Sequence, residues 1–188
     1  MTRSLNLVLF IVAVSAFAGC FSNSRMGRTG PGGLAVGDVA PVVQIQTLVH
    51  GEPLDASAGR GVQVIEFWAT WCGPCLSGMP HLSELQATYG DEVTILGVTS
   101  EDLATVEGFL ASSAGNGKTW ADVVKYRLAV DDNGATTAAY LRAAGKTSIP
   151  TAFIVGKEGV LQWIGHPSGM DGPLKAVVDG TWQIPNAG

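Results

Sequence analysis

Apolar residues fall along this chain in short, nearly unbroken runs separated by stretches with helical spacing. Residues 62–68 (VQVIEFW) and 93–99 (VTILGVT) are runs of the kind expected of strands buried on both faces. Residues 42–48 are also apolar and β-branched, and His50-Gly51 follows as a turn. Between the first two runs Met79, Leu82, Leu85 and Tyr89 recur at helical spacing, which predicts a helix over residues 73–89, stopped by Gly90 and kinked at Pro80. A second helix is expected from Ser100-Glu101-Asp102 to about residue 114, with an acidic first turn. Residues 114–119 read as a polar loop and 126–130 as a strand. A turn over 131–134 leads into a helix over 135–144, which ends at Gly145. Residues 151–155 and 160–165 form a hairpin about the turn at 157–159, and residues 170–180 a terminal helix. Strand alternating with helix makes this an α/β chain with a parallel arrangement in its sheet.

The ends of the 188-residue chain follow another pattern. Arg3 precedes an apolar run over residues 5–18 and a small residue, Gly19, stands before Cys20: a secretory or lipoprotein signal peptide over residues 1–19. The run is too short to span a membrane comfortably. Residues 20–37, rich in Gly and Ser and poor in apolar side chains, read as a flexible tether, and a single folded domain is expected over residues 38–184. Acidic residues outnumber basic ones, 16 to 11, and no basic cluster occurs, so nucleic acid is not an expected partner.

The candidate chemistry lies where the first buried run meets the first helix, at Trp71-Cys72-Gly73-Pro74-Cys75. Two thiols one helical turn apart can open and close a disulfide. A thiolate in the first turn of a helix faces unsatisfied N–H groups and the positive end of the helix dipole, which lower its pKa. Cys72 is therefore the expected attacking sulfur and Cys75 the one that resolves the mixed disulfide. A zinc site would need further ligands, yet only Cys20 remains, and His50, His81 and His166 have no metal-ligand spacing, so no metal is expected. A purely structural disulfide closing so short a loop would stabilise little.

Glu66 stands inside an otherwise apolar strand, on the same face as Val64 and Trp68. Carboxylates are rarely buried without a partner, so Glu66 is either a structural carboxylate tied to a backbone amide or a functional acid with a pKa raised by desolvation.

With FWATWCGPC at residues 67–75, Pro80 in the helix and Ser148-Ile149-Pro150-Thr151 opening a late strand, the chain resembles the thioredoxin-like superfamily, and within it the membrane-tethered TlpA/ResA-type thiol-disulfide oxidoreductases. The resemblance implies a thioredoxin-like α/β fold, a central mixed sheet flanked by helices. It implies a cis Pro150 against the cysteines, with Trp71, Gly73, Pro74 and Ile149 forming the face on which a partner docks. Thioredoxins carry at the position of Glu66 a buried aspartate that helps move protons at the second cysteine, so the resemblance implies Glu66 as proton acceptor and donor for Cys75. Tethered relatives often place a glutamate where this chain has Gly78, so the acid has changed position. The residues before Cys20 resemble a lipobox, with Phe17 in place of the usual Leu, so Cys20 is the expected lipidation site.

The implied activity is dithiol–disulfide exchange outside the cytoplasmic membrane, at the periplasmic face or cell envelope, by a lipid-anchored monomer. Its partners are protein thiols and disulfides. No cofactor is called for beyond the redox-active Cys72–Cys75 disulfide. The Gly-Pro pair between the cysteines and the Ile before Pro150 look like thioredoxin itself, which favours a reductant, supplied with electrons by a membrane thiol carrier. Cytochrome c maturation and general disulfide reduction are both roles of the family. Two alternatives stand beside this reading. A peroxiredoxin-like peroxidase would need Pro and Thr or Ser where the chain has Ile65 and Ala69, and a redox-inert lipid-tethered binding module would leave the CxxC and Glu66 unexplained.

Overall fold

The computed structural model describes residues 33–53 and 61–184. The signal peptide, Cys20 and most of the expected tether lie outside the described residues. A six-stranded mixed sheet is built from β1 (Ile45–His50), β2 (Val62–Phe67), β3 (Val93–Thr99), β6 (Arg127–Asp131), β7 (Thr151–Val155) and β8 (Leu161–Gly165), in the order β1-β6-β3-β2-β7-β8. β2, β3 and β6 run parallel, while β7 pairs antiparallel with β2 and β1 with β6. A parallel neighbour requires a crossover, and α1 (Gly73–Tyr89) supplies it between β2 and β3.

Each face of the sheet has its own core, as the alternation of side chains along β2 dictates. Val62, Val64 and Trp68 point to one face and pack with Met79 and Leu82 of α1; Ile65 and Phe67 point to the other, with Leu96, Tyr140 and Phe153. Phe67, Phe153 and Tyr140 form an edge-to-face aromatic cluster there, with Phe153 5.8 Å from Phe67 and 5.2 Å from Tyr140.

The helix α1 and the strand β3 keep the bounds that their periodicity predicts. α1 continues through Pro80, which is exposed, and ends at Gly90 with φ +53°, a conformation that favours glycine. Elsewhere tertiary contacts move the boundaries. β1 starts at Ile45, not residue 42, and its pairing with β6 is irregular in two places. α2 (Leu103–Ala111) is capped by the Asp102 side chain and ends before the expected residue 114. The expected polar loop is a small hairpin, β4 (Ser113–Gly115) and β5 (Lys118–Thr119), leading into α3 (Trp120–Val123). Phe109 stacks on Trp120 at 5.0 Å and lies 5.4 Å from Trp68, which roots this excursion in the core. The helix expected over 135–144 is α4 (Ala135–Thr137) followed by a π-helical turn (Ala138–Arg142). α5 (Asp171–Val178) closes the chain against the first core through Leu174.

Ordered contacts begin earlier than Asp38. The Leu34 N–H donates to the Ala143 carbonyl at 2.8 Å and that of Gly37 to Leu161 at 2.7 Å, while Leu34 packs on the second core. Residues 34–37, assigned to the tether by composition, are thus part of the domain, because one leucine and two backbone bonds suffice to dock them.

Candidate active site

β2 occupies the middle of the sheet, and the chain leaving its end turns directly into α1. Cys72 is the N-cap of that helix and Pro74 follows in its first turn. Cys72 and Cys75 are disulfide-bonded, with Cα atoms 5.2 Å apart, and the Cys75 N–H donates to Cys72 Sγ at 3.3 Å. A cap position held by sulfur directs the helix's unpaired donors at Cys72, so its thiolate is favoured when the bond opens. Both cysteines are nearly closed to solvent, at 4% and 3% exposed, whereas the neighbouring Trp71 is 74% exposed. The Ile149–Pro150 bond is cis, and Pro150 is buried.

A different hollow flanks each end of the motif. Beyond Cys75 lies a cavity of about 520 Å³ whose walls include Pro74, Gly78, Pro150, His81 and His166. Glu66 lines it too. That side chain is 1% exposed and its Oε2 has no hydrogen-bond partner among the described residues. Burial pushes its carboxyl up to about 8 from an ordinary 4.5. In the sheet Glu66 sits between Gly97 and Ala152, two small residues that leave room for it. A Cβ at 97 would come within 2.7 Å of Leu128 Cδ2 and 3.2 Å of the Trp68 indole, so a larger residue there would displace the Leu128 side chain. Trp68 Nε1 and Tyr126 Oη are likewise buried without partners among the described residues, and burial, then the Glu66 charge, raises the Tyr126 phenol.

On the other side, next to Trp71 and Ile149, a groove of about 270 Å³ runs past Thr99, Thr137 and Leu141. Glu101 lines it, and both oxygens of its carboxylate accept hydrogen bonds. Oε2 accepts from the Thr70 N–H at 2.6 Å and from Thr99 Oγ1 at 3.2 Å, and Oε1 accepts from Thr70 Oγ1 at 2.7 Å. Sequence placed Glu101 in the acidic first turn of α2; instead it lies before the helix and reaches back to the loop ahead of Cys72.

The residues singled out by sequence are thus gathered. Cys72, Cys75, Glu66, Pro150, Trp71, Pro74 and Ile149 converge on the end of β2, and Gly73 is exposed at the start of α1. Two histidines that sequence set aside also belong to the surroundings. His81 pairs with Asp171 at 2.9 Å, tying α1 to α5 on the wall of the Cys75 cavity, and His166 caps a short turn there through Ser168. His50 is away from the site, bonded to the Val124 carbonyl at 2.9 Å. Thr70 and Glu101 carried no local signal. Their one pointer was position, since sites in α/β sheets gather beyond the carboxyl ends of parallel strands.

The chain is similar to known proteins over most of its length. A family model described as Redoxin matches residues 35–174. The thioredoxin-like protein YneN of Bacillus subtilis is 30% identical over 133 residues, 69% of this chain and 71% of the relative. The thiol-disulfide oxidoreductase ResA of Bacillus cereus is 28% identical over 130 residues, 67% of this chain and 66% of the relative. Among solved structures, a thiol:disulfide interchange protein of the thioredoxin family from Chlorobium tepidum superposes with a TM-score of 0.53 at 22% identity, covering 75% of this chain and 99% of the other. That likeness concerns the fold.

Proposed function

The chain belongs to the Redoxin family, as a thioredoxin-like protein of the TlpA/ResA type, and on that footing we propose that it reduces protein disulfides by dithiol–disulfide exchange outside the cytoplasmic membrane. One observation carries the chemistry: the Cys72–Cys75 pair opens α1 with Cys72 Sγ in the cap position, and Cys75 lines the same cavity as the buried Glu66.

In the dithiol form the Cys72 thiolate attacks a sulfur of the partner's disulfide and expels the other half as a thiolate. Cys75 then loses its proton and attacks Cys72 Sγ, releasing the partner's second thiol. Two electrons pass to the partner, two protons follow, and the disulfide of the described structure is regenerated. Glu66 lines the cavity beside Cys75 with an oxygen unpartnered among the described residues and a pKa pushed up to about 8, which suits it to take that proton. Pro150 has no N–H, so the backbone at Ile149 is open to an extended partner segment, and Trp71 offers an apolar landing face.

The location rests on sequence: the leader, and Cys20 as the lipid anchor. No helix among the described residues is long and apolar enough to cross a membrane. A membrane thiol carrier is the electron donor in this reading, and cytochrome c maturation or general disulfide reduction its outlet. The peroxidase alternative finds no hydroxyl where it needs one: Ile65 is buried in the second core and Ala69 packs with the cysteines.

A Cys75→Ala chain tests the reading. It should accumulate mixed disulfides through Cys72, seen as dithiothreitol-sensitive adducts, and lose turnover with protein disulfides. Full turnover without Cys75, or no adduct with any disulfide protein, would remove the mechanism.

A further inference from the structure

On the side of the motif away from Glu66, the groove beside Trp71 and Ile149 is walled largely by apolar groups, including Phe67, Trp68 and Leu141. Among its lining residues Glu101 is the only one with a charged side chain. Arg142 and Lys146, the basic residues nearest in sequence to its wall, do not line it. The Glu101 carboxylate is held still by two bonds from Thr70 and one from Thr99, so no rotamer freedom is lost when a ligand meets it. A carboxylate offers about four acceptor positions, and three are used; one on Oε1 remains.

We propose that Glu101 is a specificity-determining residue, selecting partners that carry a lysine or arginine beside the cysteine of the disulfide to be reduced. This rests on the exchange reading above and adds the substrate class. An extended segment laid along Ile149 places its cysteine at Cys72 and turns a neighbouring side chain into the groove. A basic side chain fits it throughout: its methylene stem covers the apolar wall, its head reaches Glu101, and the Trp71 ring lies alongside. An acidic side chain in the same place meets a like charge.

The test uses the full chain in its dithiol form and three peptides alike except for Lys, Gln or Glu beside a single cysteine, each blocked as a 2-pyridyl disulfide. Protein dithiol plus peptide disulfide gives protein disulfide, peptide thiol and 2-thiopyridone, whose absorbance reports the rate. Dividing each rate by that of the same peptide with dithiothreitol removes the peptide's own reactivity. The expected order is Lys, Gln, Glu, with about a tenfold spread at low salt that shrinks as salt is added. In Glu101→Gln the spread falls to about twofold or less, whereas Thr70→Val, which keeps the carboxylate, retains it. Equal rates in the unaltered chain overturn the inference while leaving the exchange reading intact. So does a spread that survives Glu101→Gln, including uniform slowing of all three peptides. No reaction with any peptide removes the exchange reading itself, and this inference with it.

Discussion

Two glutamates flank one disulfide, and their surroundings are opposites. Glu66 is sealed in the sheet with an oxygen that no donor among the described residues meets, and its proton is held to about pH 8. Glu101 is half-buried at a strand end with three donors on its two oxygens. The same functional group thus meets two opposite electrostatic settings. An unsolvated, unpartnered carboxyl can trade a proton near neutral pH, because its charged form has little support. A carboxylate already supplied with donors is better suited to hold a loop and present a fixed charge. What separates them is contact with donors: Thr70 and Thr99 meet Glu101, whereas no donor among the described residues meets Glu66 Oε2.

The contrast can be broken most forcefully through stability. Folded Glu66 keeps its proton up to about pH 8, whereas the unfolded chain releases it near 4.5. Its raised pKa therefore leaves stability intact below about pH 4.5, and stability is lost as pH climbs toward 8, with a ceiling of about 5 kcal/mol. Urea unfolding at pH 5 and pH 9 should show this loss in the unaltered chain and its absence in Glu66→Gln. Next in size is kinetics: Glu66→Gln should slow resolution by Cys75 by about 100-fold, and the rise in rate centred near pH 8 should disappear.

Gly78→Glu sharpens the comparison by adding an acid to the Glu66 side. A Cβ at 78 meets nothing within 4 Å, and Gly78 lines the cavity. The added charge should move the midpoint of the rate profile upward by about one unit, and an unmoved midpoint would mean the two acids do not communicate. Thr70→Val removes one donor from Glu101 and should cost about 1 kcal/mol in denaturant unfolding. Smallest is His81→Ala. Its pair with Asp171 is 40% and 56% exposed, so a loss below about 1 kcal/mol is expected.

The Glu66 side was legible in the sequence because its signals are local. One acid in an apolar strand, two cysteines at helical spacing and an Ile-Pro before a strand can each be read within a few residues. The bounds of α1 and β3 were legible for the same reason, since periodicity is strong where burial is uniform. The Glu101 side was not, because its contact with Thr70 spans 31 residues and exists only once β2 and β3 are paired. Likewise β1, an edge strand with two irregularities, and the α4 segment with its π-helical turn owe their limits to neighbours rather than to their own pattern. Residues 34–37 look like linker by composition and are docked by contacts that composition does not encode.

The burial of both sulfurs has a consequence for electron economy. Small oxidants attack thiols according to thiolate character and exposure, and the two cysteine residues, joined in their disulfide, are only 4% and 3% exposed. On the reductant reading proposed above, a pair working in an oxidising compartment would otherwise be drained by whatever diffuses past it. On that reading, such cover reserves the reducing equivalents for collisions with partners large enough to engage Trp71 and press their own sulfur inward. Waste is limited by geometry, before any difference in redox potential comes into play.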